Sequence, residues 1–170
     1  MNYETITISN PQDISNYVQN ISCTPHFKNG INGASKTIGD NEGNSPSVAL
    51  AQAYLLEILG YTPKVMSFVL SNNQSPRSMR FVSTAIYGDK DKVYTPGVAT
   101  PKGLISAGRF AENESELSKM IGKELAGSGY EPKRTETVSL DKLSQDWREN
   151  TYPKYALHTL AGIPKVEPYN

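Results

Sequence analysis

The residues of this chain best suited to nucleophilic catalysis are its single cysteine and the first of its two histidines. Cys23 and His26 stand three positions apart, so a thiolate and a neighbouring imidazole could act as nucleophile and general base. Such a pair also needs a group that orients the imidazole, and no carboxylate is evident beside Pro25. Because a free cysteine is more often a small buried apolar residue, Cys23 with His26 is the fallback catalytic hypothesis.

Ser45 is the second residue with a candidate catalytic role. A serine hydroxyl becomes a useful nucleophile only when a base takes its proton, and both histidines lie in distant segments. The neighbours of Ser45 favour a structural role, because a serine directly before a proline is typical of a helix N-cap followed by the first helical residue. The sequence therefore predicts that the Ser45 hydroxyl caps a helix by accepting a backbone N–H two or three residues further along.

The element that would carry Ser45 is a helix predicted over residues 46–59 from its apolar spacing, with Gly60 as the stop. Three strands are predicted to follow it, over 64–70, 79–87 and 92–95. A tight turn, Gly-Asp-Lys-Asp, joins the last two strands and indicates an antiparallel hairpin. The fold class that follows is α+β, with a central helix packed on a mainly antiparallel sheet.

The remaining predicted elements are shorter. A strand is predicted over 3–8, an edge strand over 134–138, and helices over 11–21, 114–126 and 140–149. Gly, Asn and Pro are frequent in 23–44 and 96–110, which indicates loops. The segment 150–170 has no apolar period and is predicted to be irregular. No linker composition divides the chain, so residues 1–170 are predicted to form a single domain.

Small and apolar residues recur around the central helix at a recognisable spacing. They are Gly43-Asn44-Ser45, Ala49, Leu55-Leu56, Gly60-Tyr61 and Pro63, followed by an apolar strand. This pattern, over about residues 40–97, resembles the core of the transglutaminase-like, papain-like cysteine hydrolase superfamily. The resemblance implies a buried helix that begins at a catalytic cysteine, and antiparallel strands of which the second carries a histidine and the third ends at an aspartate. A helix N-terminus favours a thiolate, which is the physical reason for that placement.

At each position that the resemblance marks as catalytic, this chain has another residue. Ser45 takes the cysteine position, Thr95 takes the aspartate position, and Phe81 lies near the histidine position, with Ser83 or Arg80 there if the register shifts. No histidine occurs anywhere in this part of the chain, so a change of register does not restore one. The resemblance therefore implies a degenerate frame without a catalytic triad.

The function expected of such a frame is that of a non-catalytic binding or structural module, as part of a phage particle or another multiprotein assembly. Two alternatives stay open at this point. One is an active hydrolase or acyltransferase that uses Ser45 or Cys23 with a histidine. The other is a small inhibitor or immunity-type protein.

Composition excludes several classes of protein. The 17 basic and 17 acidic residues give zero net charge, which argues against nucleic-acid binding and against an electrostatic hold on a membrane. No apolar run reaches the roughly 18 residues of a membrane span, and the N-terminus lacks the pattern of a secretory signal. One cysteine rules out an intramolecular disulfide and the common zinc-finger ligand sets, so we expect no metal or cofactor. The expected location is the cytoplasm or a larger particle.

The aromatic residues near the C-terminus predict a protein partner. Trp147, Tyr152, Tyr155 and Tyr169 lie in a proline-containing stretch, and Trp and Tyr are enriched at the hot spots of protein interfaces. The alternative is that this stretch closes the hydrophobic core of the domain itself.

Overall fold

A computed structural model describes residues 7–25, 31–70, 81–142 and 147–148 of the chain. Within these residues there are four α-helices: α1 (Pro11–Val18), α2 (Ala34–Asp40), α3 (Ser45–Ile58) and α4 (Glu114–Gly127). The strands are β1 (Ser22–Thr24), β2 (Glu42–Asn44), β3 (Lys64–Leu70), β4 (Phe81–Asp89), β5 (Lys92–Tyr94), β6 (Val98–Thr100), β7 (Gly103–Ile105), β8 (Phe110–Ala111) and β9 (Pro132–Ser139). A single 3₁₀ turn over Leu140–Lys142 follows β9.

The main sheet has five antiparallel strands in the order β8-β5-β4-β3-β9. The central pair, β3 and β4, is aligned so that Ser67 lies opposite Ser83, and β9 lies on the other side of β3 with Glu136 opposite Ser67. Strands β1 and β2 form a small parallel pair, and β6 and β7 form a hairpin. Helix α3 packs against β4. The predicted α+β class, with a central helix on an antiparallel sheet, is confirmed.

Helix α3 is enclosed by the rest of the fold rather than lying on its surface. Eleven of its 14 residues are buried, including the polar Ser45, Ser47 and Gln52. A helix that is apolar on all sides is typical of a core element. Its few polar side chains must find hydrogen-bond partners inside the protein, because a buried polar group without a partner destabilises the folded state.

The prediction that Ser45 caps α3 is wrong. Asn44 is the N-cap: its backbone is extended, and its side-chain Oδ1 accepts the backbone N–H of Ser47 at 3.1 Å. Ser45 is already the first helical residue, so its hydroxyl points elsewhere. Asparagine and serine are about equally good N-caps, so the local sequence does not decide between these two adjacent residues.

Two segments predicted as loops contain regular structure, which corrects that prediction. The segment 23–44 includes most of β1, all of α2 and β2, and the segment 96–110 includes the β6–β7 hairpin. Helix α2 has no side-chain cap, and the carbonyls of Trp147 and Arg148 accept the N–H groups of its first two residues, Ala34 and Ser35. Such short elements are held by distant parts of the chain, so the local sequence carries little signal for them.

The predicted starts of α1 and α4 agree with the structure, but α1 ends at Val18 and not at Ile21. Asn113 caps α4 by accepting the N–H of Glu116 at 2.9 Å, and Asn10 with Asp13 forms a capping box at α1. Strand β9 lies at an edge, as expected. The predictions for 71–80, 150–170 and most of 3–8 and 140–149 lie outside the described residues. No helix in the described part of the chain is long and apolar enough to cross a membrane.

Replacing Gly97 with alanine should destabilise the fold, because Gly97 has a φ of +136° and an added Cβ would lie 2.8 Å from the Leu104 side chain. We expect G97A to lose about 1–3 kcal/mol of unfolding free energy in urea denaturation. Gly122→Ala is the matched control: its added Cβ meets nothing within 4 Å in helix α4, so we expect a gain of up to about 1 kcal/mol. Equal losses in both variants would contradict this account.

Candidate functional site

The first residue of α3, Ser45, lies fully buried against the middle of β4. Its hydroxyl Oγ accepts the backbone N–H of Ser83 at 2.9 Å and donates to the carbonyl oxygen of the same residue at 3.2 Å. The hydroxyl proton and an oxygen lone pair are therefore both engaged with backbone. The resemblance assigns the position of Ser45 to a nucleophile, but here the Ser45 side chain binds the backbone of β4.

Two more serines complete this cluster. The Oγ atoms of Ser83 and Ser67, which lie opposite each other on β4 and β3, are 2.7 Å apart, and both residues are buried. Within the described residues, the three serines hydrogen-bond to one another and to backbone, and none of their partners is an ionisable side chain. Activation of a serine needs a base within hydrogen-bond reach, so this cluster has no means to ionise Ser45.

The reason for this arrangement lies in the pairing of β4. Strand β4 pairs with β3 along 81–86, but its other side pairs with β5 only from Tyr87 to Asp89. In an antiparallel strand the backbone groups of alternate residues point to opposite sides. The N–H groups of Ser83 and Ala85 therefore point away from β3, to a side where no described strand pairs with β4.

Helix α3 supplies the missing partners through two side chains on one face. Ser45 Oγ accepts the N–H of Ser83, and Gln52 Oε1, two helical turns further on, accepts the N–H of Ala85 at 3.0 Å. The Gln52 amide also donates through Nε2 to the carbonyl of Gly97. The helix thus replaces a strand along this edge of β4.

Thr95 fixes the turn by which the chain leaves the sheet. Its Oγ1 accepts the N–H of Gly97 at 3.0 Å and lies 2.6 Å from Thr84 Oγ1. Thr84 in turn donates to the Gly97 carbonyl at 3.1 Å and reaches Gln52 Oε1 at 3.4 Å. A threonine at this position therefore performs a structural task that brings β6 close to β4.

Ser45, Phe81 and Thr95 occupy the three predicted triad positions. The structure does not bring all three together in one cluster. Ser45 hydrogen-bonds to Ser83, which is the alternative that a shifted register allowed. Phe81 is a buried residue opposite Val69 of β3. Thr95 hydrogen-bonds to Thr84, the neighbour of Ser83 along β4. The serine cluster and the threonine cluster are therefore adjacent but separate.

Cys23 lies in β1, opposite Gly43 of β2. Strand β2 leads directly into α3, so Cys23 lies near the start of that helix. Its side chain is half-buried, and burial raises the pKa of its thiol to about 12. The thiol is therefore protonated at neutral pH and is a weak nucleophile. His26 and His158 lie outside the described residues, so the pairing of Cys23 with His26 stays a prediction.

Trp147 lies in the hydrophobic core with 3% of its surface exposed. The Arg148 guanidinium stacks 4.6 Å from the centre of the Trp147 ring, and Arg148 Nε donates to Glu57 at the end of α3 at 3.0 Å. The indole therefore offers almost no surface to a partner, and Trp147 is not part of the contact surface proposed below. Tyr152, Tyr155 and Tyr169 fall outside the described part of the chain, so their role stays a prediction.

Sequence reasoning missed a row of four aromatic rings on one face of the sheet, here called the aromatic row. It consists of Tyr61, Tyr87, Tyr94 and Phe110, with successive ring centres 4.7, 5.5 and 5.3 Å apart. Tyr87 is opposite Tyr94, and Tyr94 is opposite Phe110, so three of the rings form cross-strand pairs. Tyr87 is buried, and its burial raises the pKa of its hydroxyl well above the ordinary value.

Phe110 ends the aromatic row at the surface, where 48% of the residue is exposed. Beside it is a shallow cavity of about 620 Å³ lined by Ser106, Ala107, Gly108, Arg109, Phe110 and Met120. Glu124 of α4 fixes the loop that forms one wall, accepting the N–H of Ser106 at 3.1 Å and the Arg109 Nε at 2.7 Å. The Ser106 hydroxyl is buried without a hydrogen-bond partner in the described residues.

The charges around Phe110 are paired. Lys92 Nζ lies 5.4 Å from the centre of the Phe110 ring and 2.7 Å from Glu112 Oε1. The hydrogen bond and charge of Glu112 raise the pKa of Lys92, which is therefore a cation at all physiological pH values. The surface near the cavity thus combines an exposed aromatic ring with neutralised ion pairs. Across the described ranges, no group of three or more His, Cys, Asp or Glu side chains could hold a metal ion.

Comparison with known proteins adds no family assignment. A scan against protein-family models gives no match, and a search of the curated proteins gives none either.

Replacing Ser45 with alanine should destabilise the protein, because the N–H and C=O of Ser83 would be buried without partners. We expect a loss of about 1–3 kcal/mol of unfolding free energy, measured by chemical denaturation. Ser118→Ala is the control, since the Ser118 hydroxyl bonds to the Ser115 carbonyl on an exposed part of α4, and its loss should change stability by less than about 0.5 kcal/mol. A stable, soluble S45A with unchanged denaturation would show that Ser45 does not hold β4.

The raised pKa of Cys23 predicts slow alkylation. The rate of reaction with iodoacetamide at pH 8 should be at least about tenfold below that of an exposed thiol, should rise with pH beyond pH 9, and should become normal in denaturant. Rapid alkylation of the folded protein at pH 7 would instead indicate an activated thiolate, and would favour the hydrolase alternative.

Proposed function

We propose that this chain is a non-catalytic protein-binding module built on a degenerate transglutaminase-like frame. The observation that carries the proposal is the state of Ser45: it begins the buried helix, as a nucleophile would, but its hydroxyl is sealed in the core and bonded to the backbone of Ser83 at both of its hydrogen-bonding functions. A residue in this state contributes to stability and has no access to a substrate.

The arrangement around Ser45 supports the frame. The start of α3 faces the middle of β4, and three antiparallel strands follow the helix in the order β3, β4 and β5. That order is the one the superfamily resemblance implies, and the residue that meets Ser45 on the second strand is Ser83 in place of a histidine. A hydroxyl at this point completes a buried hydrogen-bond network but takes up no proton near neutral pH.

The active hydrolase alternative receives less support. It requires either Ser45, whose described partners are serine and backbone groups, or Cys23, whose thiol is protonated at neutral pH because burial raises its pKa. Among the described residues neither of them has the base that acyl transfer needs, and the Cys23 thiol is not ionised at neutral pH.

The contact surface that we propose consists of Phe110 and the adjoining cavity wall. Among the described residues, Phe110 and Ile58 are the large apolar side chains that are exposed. Phe110 differs from Ile58 because it stacks on the aromatic row and borders a cavity that also contains Met120. A rigid aromatic ring beside an apolar recess is typical of a protein-interface hot spot. The proposed partner is a protein segment that inserts an apolar or aromatic side chain beside Phe110.

A site-specific photocrosslinker tests this surface. Benzoylphenylalanine at position 110 should give a discrete crosslinked protein in extracts of the source cells, whereas the same group at position 58 should not. The captured protein is then purified, and its affinity for wild type, Phe110→Ala and Ile58→Ala is measured by calorimetry. We expect F110A to weaken binding at least about tenfold and I58A to leave it unchanged.

The two parts of the proposal fail in different ways. Equal affinities of F110A and I58A would place the contact elsewhere without restoring catalysis. Labelling of Ser45 or Cys23 by an acyl-type covalent probe in the folded protein would instead overturn the non-catalytic assignment, whatever surface the partner uses.

A further inference from the structure

Strand β9 is an eight-residue strand at one edge of the sheet that the described residues form. The N–H and C=O of Ser83 both point to Ser45, so the facing residues Ser83 and Ser67 form a non-hydrogen-bonded pair between β4 and β3. The backbone groups of Ser67 therefore point to β9, where Glu136 is its partner. Along β9 the alternate residues Thr135 and Thr137 must then direct their N–H and C=O groups outward.

Within the described residues, nothing pairs with this outer side. The sheet ends at β9, and no described strand follows it in the sheet order. The opposite edge is different, because β8 is only two residues long. An open strand edge is a template for pairing with another strand, and proteins usually protect it with charged side chains.

The charges on β9 are arranged so that the strand complements itself. Arg134 and Glu136 lie on the same face of the strand, 49% and 36% of their side chains are exposed, and Arg134 Nε is 3.4 Å from Glu136 Oε1. If a second β9 pairs antiparallel with Thr135 opposite Thr135, then each Arg134 faces the Glu136 of the other copy. Cross-strand pairs of opposite charge, and threonine opposite threonine, stabilise antiparallel strands.

The neighbouring registers lack this match. A two-fold axis at Glu136 would place the two Glu136 carboxylates opposite each other, and like charges directly opposite destabilise a strand pair. An axis at Thr137 would place Glu136 opposite the apolar Val138. The backbone also limits the choice, because Thr135 is an outward-directed residue and can form the central hydrogen-bonded pair.

We propose that β9 pairs antiparallel with β9 of a second copy of this chain, about a two-fold axis at Thr135, so that two five-stranded sheets become one continuous sheet. The register of β9 on β3 shifts between Val69 and Leu70, which ends the regular part of the strand near Arg134. The paired stretch is therefore short, and the dimer is weak, concentration-dependent and sensitive to salt.

Sedimentation equilibrium over a wide range of protein concentration tests the proposal. Two single variants each reverse one charge of the proposed cross-strand pair between Arg134 and Glu136. Arg134→Glu and Glu136→Arg each place like charges opposite each other, so each should weaken dimerisation at least about tenfold. An equimolar mixture of the two variants restores opposite charges at both positions, as does the double variant R134E/E136R, so both should regain dimerisation. Lys133→Glu is the matched control, because it makes the same charge change opposite the uncharged Thr137 and should alter dimerisation by less than about threefold.

Circular dichroism shows whether each variant is folded. Amide hydrogen exchange of the wild type tests the same pairing without any substitution. Protection of the Thr135 N–H should increase with protein concentration, while protection of the Glu136 N–H, which faces β3, should not. A wild type that is monomeric throughout overturns the proposal. So does a dimer that R134E leaves intact, or a mixture of folded single variants that fails to associate.

Discussion

The open side of β4 between Phe81 and Ile86 is the constraint on which the rest of this fold depends. Buried backbone N–H groups need partners, and each one left alone costs roughly 1–3 kcal/mol. Here the partners of Ser83 and Ala85 are side chains of α3, not a neighbouring strand. This requirement fixes the distance, direction and rotation of α3 relative to the sheet, and explains why a helix buried on nearly all sides keeps Ser45 and Gln52.

The same constraint shapes the chain that follows β5. Gln52 has one oxygen and one amide group, and it uses the oxygen on Ala85 and the amide on the Gly97 carbonyl. Thr95 and Thr84 complete that network, so the turn after β5 is tied to the helix as well as to the sheet. A hydroxyl or amide serves here better than an ionisable group, since each can donate and accept without a charge that must be desolvated.

The two surface features that bear on partner binding lie at the edges of the sheet, outside this buried network. The aromatic row runs from Tyr61 through Tyr87, which is buried, and Tyr94 to the exposed Phe110. The Phe110 ring packs on Tyr94 and so loses little freedom on binding a partner. At the other edge, β9 keeps its outward backbone groups because no described element covers them. The two contacts that we propose therefore use opposite edges of the sheet: the apolar recess beside β8 and the charged edge of β9.

The sequence by itself determined the α+β class, the central helix, the order of the hairpin strands, and the Asn113 cap of α4, because these features rest on local periodicity and on short-range capping. The resemblance of residues 40–97 to a transglutaminase-like core, with Ser45 at the nucleophile position, stays a prediction. Only the tertiary structure decided that Asn44 caps α3, that Ser83 meets Ser45, and that Trp147 is buried. These outcomes depend on contacts between residues far apart in the chain, such as the 38 positions between Ser45 and Ser83, which no local pattern records. The aromatic row belongs with them, because its rings come from three strands and from the loop after α3, and they become neighbours only when the sheet sets their register.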